Sequence, residues 1–216
     1  MGRLFRLSFF LLFLAVVLTA GAGHATVTFY TSEPAFSAAA SPVLLETFET
    51  FSPKDTPLSS FTLHGVTYTG YAGTPLANVL VASPGYINFG AGVGTTTSSI
   101  LIANGDEDFT AAFSTPYYAV GFDTYLNGLG PATANFYGAH GLLGYYTYPG
   151  SANDKEYLGI VSTEPIFSLR WTSTLGGRLN TGIDNISVSS VPVPGAILLF
   201  APGLLGLAAI RRRFKK

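Results

Sequence analysis

The chain has 216 residues with eleven cationic and twelve acidic side chains and no cysteine, which excludes disulfides, thiolate metal sites and cysteine nucleophiles. The near-neutral total of −1 hides a split: seven cations lie at the two ends, while residues 26–190 hold Lys54, Lys155, Arg170 and Arg178 against all twelve carboxylates, a formal charge of −8. Such an acidic surface disfavours nucleic acid and anionic lipid as partners, and it is compatible with neutral glycans or cations.

The N-terminus reads as an export signal. Arg3 and Arg6 form a basic start, residues 7–18 are apolar, and Gly23-His24-Ala25 places small residues around a cleavage point after Ala25. Residues 1–25 are therefore expected to be a signal peptide, with signal peptidase as a partner, and His24 leaves with it. Residues 26–190 then form one domain, large enough for a real core.

Only residues 32–40 look helical in this domain: Ser32 can cap, Glu33 and Pro34 suit a first turn, and Phe36 offers one apolar contact. The rest carries strand chemistry, rich in Thr, Ser, Tyr, Phe and Val. Apolar residues alternate at Val27-Phe29, Phe61-Leu63, Val66-Tyr68, Ile100-Ile102, Phe109-Ala111-Phe113, Val120-Phe122, around Phe136, from Ile166 to Trp171, and at Ile183-Ile186-Val188. Gly, Pro, Asn or Asp breaks these runs at the spacing of a sandwich or barrel. The expected class is all-β, a sandwich or barrel, with Trp171 at least half buried and Leu169 near it on the same face.

Few residues suit catalysis. There is no Gly-x-Ser-x-Gly elbow. His64, beside Gly65, and His140, in Gly138-Ala139-His140-Gly141, read as turn residues rather than bases. Glu46 and Glu49, three apart on an apparent strand, should point to opposite faces. Asp106-Glu107-Asp108 after Asn104-Gly105 reads as a hairpin turn, with a calcium loop as the alternative. Tyr117-Tyr118 and Tyr145-Tyr146-Tyr148 cannot all face inward, so at least one ring of each group should be exposed or at an edge. Tyr145, Tyr146 and Tyr148 are the glycan-stacking candidates, since an exposed phenol can stack on a sugar and hydrogen-bond to it.

The C-terminus has three parts: Val191-Pro192-Val193-Pro194-Gly195, an uncharged run over 196–210, and Arg211, Arg212, Arg213, Lys215 and Lys216 around Phe214. As a helix, the twenty uncharged residues from Val191 to Ile210 would be roughly 30 Å long, about one bilayer core. The five cations would hold that end on the cytoplasmic side. This order resembles the PEP-CTERM sorting tail of Gram-negative bacteria. The Val-Pro-Val-Pro motif stands where that family usually has Pro-Glu-Pro, while Gly203, Gly206 and the immediate basic stop also fit. The resemblance implies an inner-membrane-anchored precursor, cutting near the motif by an exosortase, and release to the cell surface or exopolysaccharide. A plain uncut anchor is the alternative.

The domain also resembles the exported β-sandwich domains found before such tails. The matching pieces are Val27-Thr28-Phe29 and the short helix, Thr47-Phe48-Glu49, Phe109 to Phe113, Val120-Gly121-Phe122-Asp123 after a Pro turn, Tyr157-Leu158-Gly159-Ile160, Ile166 to Leu169, and Gly182 to Val188. That resemblance implies an antiparallel two-sheet sandwich, a lectin-like jelly roll. It would also place a structural calcium between Glu49 and Asp184, with Asn185 nearby; otherwise Asp184 and Asn185 merely begin the last strand. The expected protein is a non-catalytic structural or glycan-associated surface component. The alternatives are a polysaccharide-degrading enzyme and a calcium-stabilised lectin.

Overall fold

The computed structural model describes residues 25–70, 78–90, 92–104, 108–152, 154–173 and 181–192. Among these are eleven strands, all paired antiparallel, and one helix. In chain order they are β1 (Val27–Tyr30), α1 (Glu33–Ala40), β2 (Val43–Glu46), β3 (Ser60–Leu63), β4 (Val66–Gly70) and β5 (Asn78–Ala82). Then follow β6 (Ile100–Asn104), β7 (Phe109–Tyr125), β8 (Ala132–Gly138), β9 (Gly141–Tyr148), β10 (Lys155–Ser173) and β11 (Gly182–Ser189).

Two long strands build both layers of the sandwich. β7 and β10 pair with each other, but their register breaks between Val161 and Ile166 and again before Ser168. The start of β7 and the end of β10 join a front layer in the order β3-β4-β7-β10-β8-β9. The other halves join a back layer, β5-β6-β11-β7-β10-β1, with β2 on the far half of β11. The sequence suggests a Pro turn between two short strands here, and the structure corrects this. Pro116 lies inside β7, in a stretch that skips pairing with β10, so its missing N–H removes no bond to that neighbour.

The core lies between the layers. Trp171, Leu169, Phe109 and Phe136 enter it from the front, and Phe122, Leu158, Ile160 and Ile183 from the back. Trp171 is fully buried, stacks on Phe109 at 6.4 Å, meets Phe122 edge-on at 6.3 Å, and donates Nε1–H to Thr181 Oγ1. Leu169 shares its face, as strand alternation requires. β5 and β6 do not alternate between buried and exposed, because both their faces are covered. Val79, Val81 and Leu101 reach the main core, while Leu80, Ala82, Ile100 and Ile102 form a second apolar cluster with Phe89 and Tyr125.

Helix α1 lies on the outer side of the back layer. Ser32 is its N-cap residue in extended backbone, but its side chain makes no capping hydrogen bond; Pro34 and Glu33 occupy the first turn as expected. Phe36 is fully buried against two glycines directly opposite each other in the ladder, Gly121 and Gly159. A Cβ on either would collide with the ring, which explains the glycine in both Val120-Gly121-Phe122 and Leu158-Gly159-Ile160. Among the described residues no helix is long and apolar enough to cross a membrane. The expected tail helix over 196–210, Arg211, Arg212, Arg213, Lys215 and Lys216, and residues 1–24 lie outside the described residues.

Candidate functional site

Three sets of expected site residues can be followed in the fold. The first is Glu49 with Asp184. Glu49 lies in the turn after β2 rather than on a strand, which corrects the expected opposition with Glu46. Its Oε1 accepts the Ser99 N–H at 2.8 Å, and its Oε2 accepts the Ser99 hydroxyl at 2.8 Å and faces Lys54 Nζ at 3.5 Å. The Ser99 amide bond, followed by the Ser99 hydroxyl and Lys54, holds its pKa below the usual value against some desolvation.

Asp184 lies within β11, where a bulge interrupts the pairing with β7. It is fully buried; its Oδ2 accepts the Ser98 hydroxyl at 2.8 Å and its Oδ1 the Asn185 N–H at 2.7 Å. Burial pushes its pKa up to about 6, and the charges of Asp123 and Glu49 add to that. Asn185 adopts φ 52 and donates Nδ2–H to Asp123 Oδ2 at 2.7 Å, the same oxygen that Lys155 Nζ meets at 2.8 Å. The fold thus brings Glu49 and Asp184 onto consecutive serines, each carboxylate already bonded to the chain. Among the described residues no three His, Cys, Asp or Glu side chains gather as a metal would require. Beside this cluster, Asp123, Asn185, Glu33 and Tyr157 line a cavity of about 330 Å³ between α1 and β2.

The second set is the possible acids and bases. His64 occupies the β3–β4 turn in left-handed backbone, with Nδ1 2.8 Å from Glu46 Oε2. Glu46 is almost fully buried, and its other oxygen accepts the Thr47 and Phe48 amides. This pair shapes the turn after β2, and sequence reading missed it because eighteen residues separate its members. His140 is exposed at the β8–β9 hairpin tip, as expected. Asp108 Oδ1 accepts the Ser173 N–H at 2.7 Å, while Asp106 and Glu107 lie outside the described residues. Among the described residues the two carboxylates in direct cross-strand register are Asp123 and Asp184, but the second has no exposed surface for a substrate to reach.

The third set is the tyrosines of β9, which the fold separates. Tyr145 is 61% exposed, whereas Tyr148 is buried against Trp171 at 6.1 Å. Tyr146 is half-buried between Phe29 at 5.8 Å and Tyr148 at 5.0 Å. Tyr148 is thus a core residue, which removes it from the glycan-stacking candidates; Tyr146 and Tyr148 share the inner face, and Tyr145 is the exposed ring of the three. Tyr117 and Tyr118 are both half-buried at the bend of β7. Of the tail motif, Val191 and Pro192 are exposed just beyond β11, and Val193, Pro194 and Gly195 lie outside the described residues. Ala25 is half-buried, two residues before β1.

No protein-family model matches the chain, and no curated protein matches it. Solved structures with some likeness include family 29 carbohydrate-binding modules. One, a Lys-to-Ala mutant complexed with cellulohexaose, has 11% identity and a TM-score of 0.35 over 77% of this chain and 92% of that one. Another has 10% identity and a TM-score of 0.34 over 76% and 90%. Overlap at this level assigns neither family nor function to this chain.

Proposed function

We propose that this is an exported, surface-sorted, non-catalytic β-sandwich protein of a Gram-negative cell, serving as a glycan-associated component of the exopolysaccharide or cell surface. The observation that carries the glycan part is Tyr145, a ring 61% exposed on an outer strand, flanked on its face by exposed Thr147 rather than by charge. The sorting part rests on the tail motif, the apolar run and the basic stop. The jelly-roll reading of the sandwich belongs to the same proposal.

A calcium ion between Glu49 and Asp184 is proposed as a stabilising addition. It would neutralise Glu49 and Asp184, the first of which adds to the cost of ionising the second, in a domain at −8. It must displace the Ser98 and Ser99 hydroxyls to do so.

Two measurements test the main reading. The intact mass of surface-extracted protein should lack residues 1–25 and the segment after about Pro194. A species retaining Arg211 to Lys216 identifies an uncut anchor instead. Incubation with the cell's own exopolysaccharide should co-sediment the protein without releasing reducing sugar; release of reducing ends would establish the enzyme reading.

A further inference from the structure

The front layer presents an ordered outer face that the sequence does not reveal. Its strand register aligns Ser60, Thr69, Thr110, Arg170, Asn135 and Tyr145 in one row across six strands. Alternation turns this row away from the core, since the residues between them in β4, β7, β8 and β10, such as Tyr68, Phe109, Phe136 and Trp171, are buried. The row above holds Thr62 and Thr67, whose hydroxyls bond at 2.9 Å, and the row below holds Thr133 and Thr147, bonded at 3.0 Å. Among the described residues no carboxylate lies at an outward position within the paired strands of these rows; Asp108, the residue before β7, adjoins the row of Thr172, Thr133 and Thr147, with its Oδ1 accepting the Ser173 N–H.

We infer that this outer face of the front layer is the binding surface for a neutral polysaccharide, lying across the strands with Tyr145 stacking on a sugar ring at one end. The inference rests on the glycan reading above and adds the site, the chain direction and the charge class. Each hydroxyl–hydroxyl pair uses one proton internally, so the second hydroxyl keeps its proton and both keep acceptor capacity for sugar hydroxyls. The pairs also fix side-chain rotamers before binding, which lowers the entropy lost on association. Asn135 is held in the same way, its Nδ2 donating to the Arg170 carbonyl and Thr172 Oγ1. A polyanion would meet the field of a domain at −8, with Arg170 the one cation on this face among the described residues, whereas a neutral chain meets no such barrier. Six strands about 4.8 Å apart span about 24 Å, so a long chain should engage more of the row than a disaccharide.

The test is affinity electrophoresis of the full-length chain in detergent, in gels holding galactomannan, hydroxyethylcellulose or alginate. Retardation by a neutral polymer and not by alginate is expected, with a galactomannan hexasaccharide competing far better than a disaccharide. Tyr145→Ala should weaken retardation by about tenfold, Tyr145→Phe by about twofold or less, and the Thr62→Ala/Thr67→Ala pair by a few-fold. Val43→Ser, on the exposed edge of β2, should change nothing. Melting curves establish that each variant folds, and the conservative Phe variant keeps the comparison valid if the Ala variant does not. If the wild type binds galactomannan but no front-face variant alters it, or if alginate binds better, the inference is overturned while the glycan reading stands. If no polysaccharide retards the wild type, that reading itself fails. A dimer by light scattering that Tyr145→Ala dissolves would make the face a self-association surface and overturn the inference.

Discussion

The contact between Phe36 and the paired glycines gives a sharp energetic test. In Gly159→Ala the added Cβ would overlap Phe36 Cδ2 and stand 2.7 Å from Cγ and 3.1 Å from Cβ of the same residue. Gly159 has no positive φ, so alanine brings no backbone strain and the effect isolates the clash. Forcing an extra methyl into such packing costs about 1–3 kcal/mol. Phe36→Ala removes a fully buried ring and should cost about 3–5 kcal/mol. The two losses should not add. Once the ring is gone the methyl added in Gly159→Ala has room, so the double variant should lie close to Phe36→Ala alone, with a coupling of about 1–2 kcal/mol. Gly121→Ala should be rescued less, because its Cβ would meet the Tyr157 hydroxyl as well as Phe36 Cε1 at 2.8 Å. Urea unfolding of the four proteins in each cycle, followed by Trp171 fluorescence, measures this. Additivity within about 0.5 kcal/mol at Gly159, or a neutral single variant, would refute the docking argument.

Two further outcomes follow from the Asp184 cluster. Its folded pKa of about 6 lies above the ordinary 3.8, so the folded state binds the proton more tightly than the unfolded chain. This term therefore favours folding below about pH 4 and is lost as pH rises to about 6, for about 3 kcal/mol in all. Asp184→Asn should flatten urea midpoints between pH 4 and 6 and raise stability at pH 7; an unchanged pH profile would mean that Asp184 is not buried as an acid. For the calcium proposal, the melting temperature should rise with millimolar calcium and fall with chelator. Ligand at a hundredfold excess over Kd is worth about 2.7 kcal/mol. Asp184→Asn should abolish the difference, and a flat wild-type melt removes the ion.

Where burial alternates, the sequence shows the fold. Phe109, Ala111 and Phe113, or Ile186 and Val188, point inward as their spacing of two suggests; Ile183, three residues before Ile186, joins them because a bulge interrupts β11 between Asp184 and Ser187. β5 was invisible to that signal because Val79, Leu80, Val81 and Ala82 are all buried, on two sides. The continuity of β7 and β10 was also hidden, since Pro116 and Pro165 mark a turn locally and a bend only in context. Site geometry was less legible. Ser99 reaches Glu49 across fifty residues and Ser98 reaches Asp184 across eighty-six, and serines carry no pattern that announces such partners. The glycines at 121 and 159 were visible as pieces of a resemblance, but their purpose needed Phe36 in place.

Which tyrosine of β9 faces the solvent depends on one residue. From the β8–β9 turn, Gly138 pairs with Gly141 and Tyr137 with Leu142, but Phe136 pairs with Gly144, so Leu143 is the extra residue of a bulge. Before the bulge the exposed Leu142 sits outside; unbroken alternation from there would turn Gly144 outward and Tyr145 inward. The bulge reverses this. Gly144 instead faces Val27 and Phe29, where a Cβ would have little room, and Tyr145 moves to the outer face beside Asn135. Tyr146 and Tyr148 then enter the core, so the same inserted residue creates the exposed ring and supplies the buried ones. Limited nitration with mass-spectrometric readout should modify Tyr145 well before Tyr146 or Tyr148. Deleting Leu143 should shift the fastest reactivity away from Tyr145 in whatever fraction folds. Early nitration of Tyr148 in the wild type would show the register to be off by one, and the outer row would lose its aromatic end.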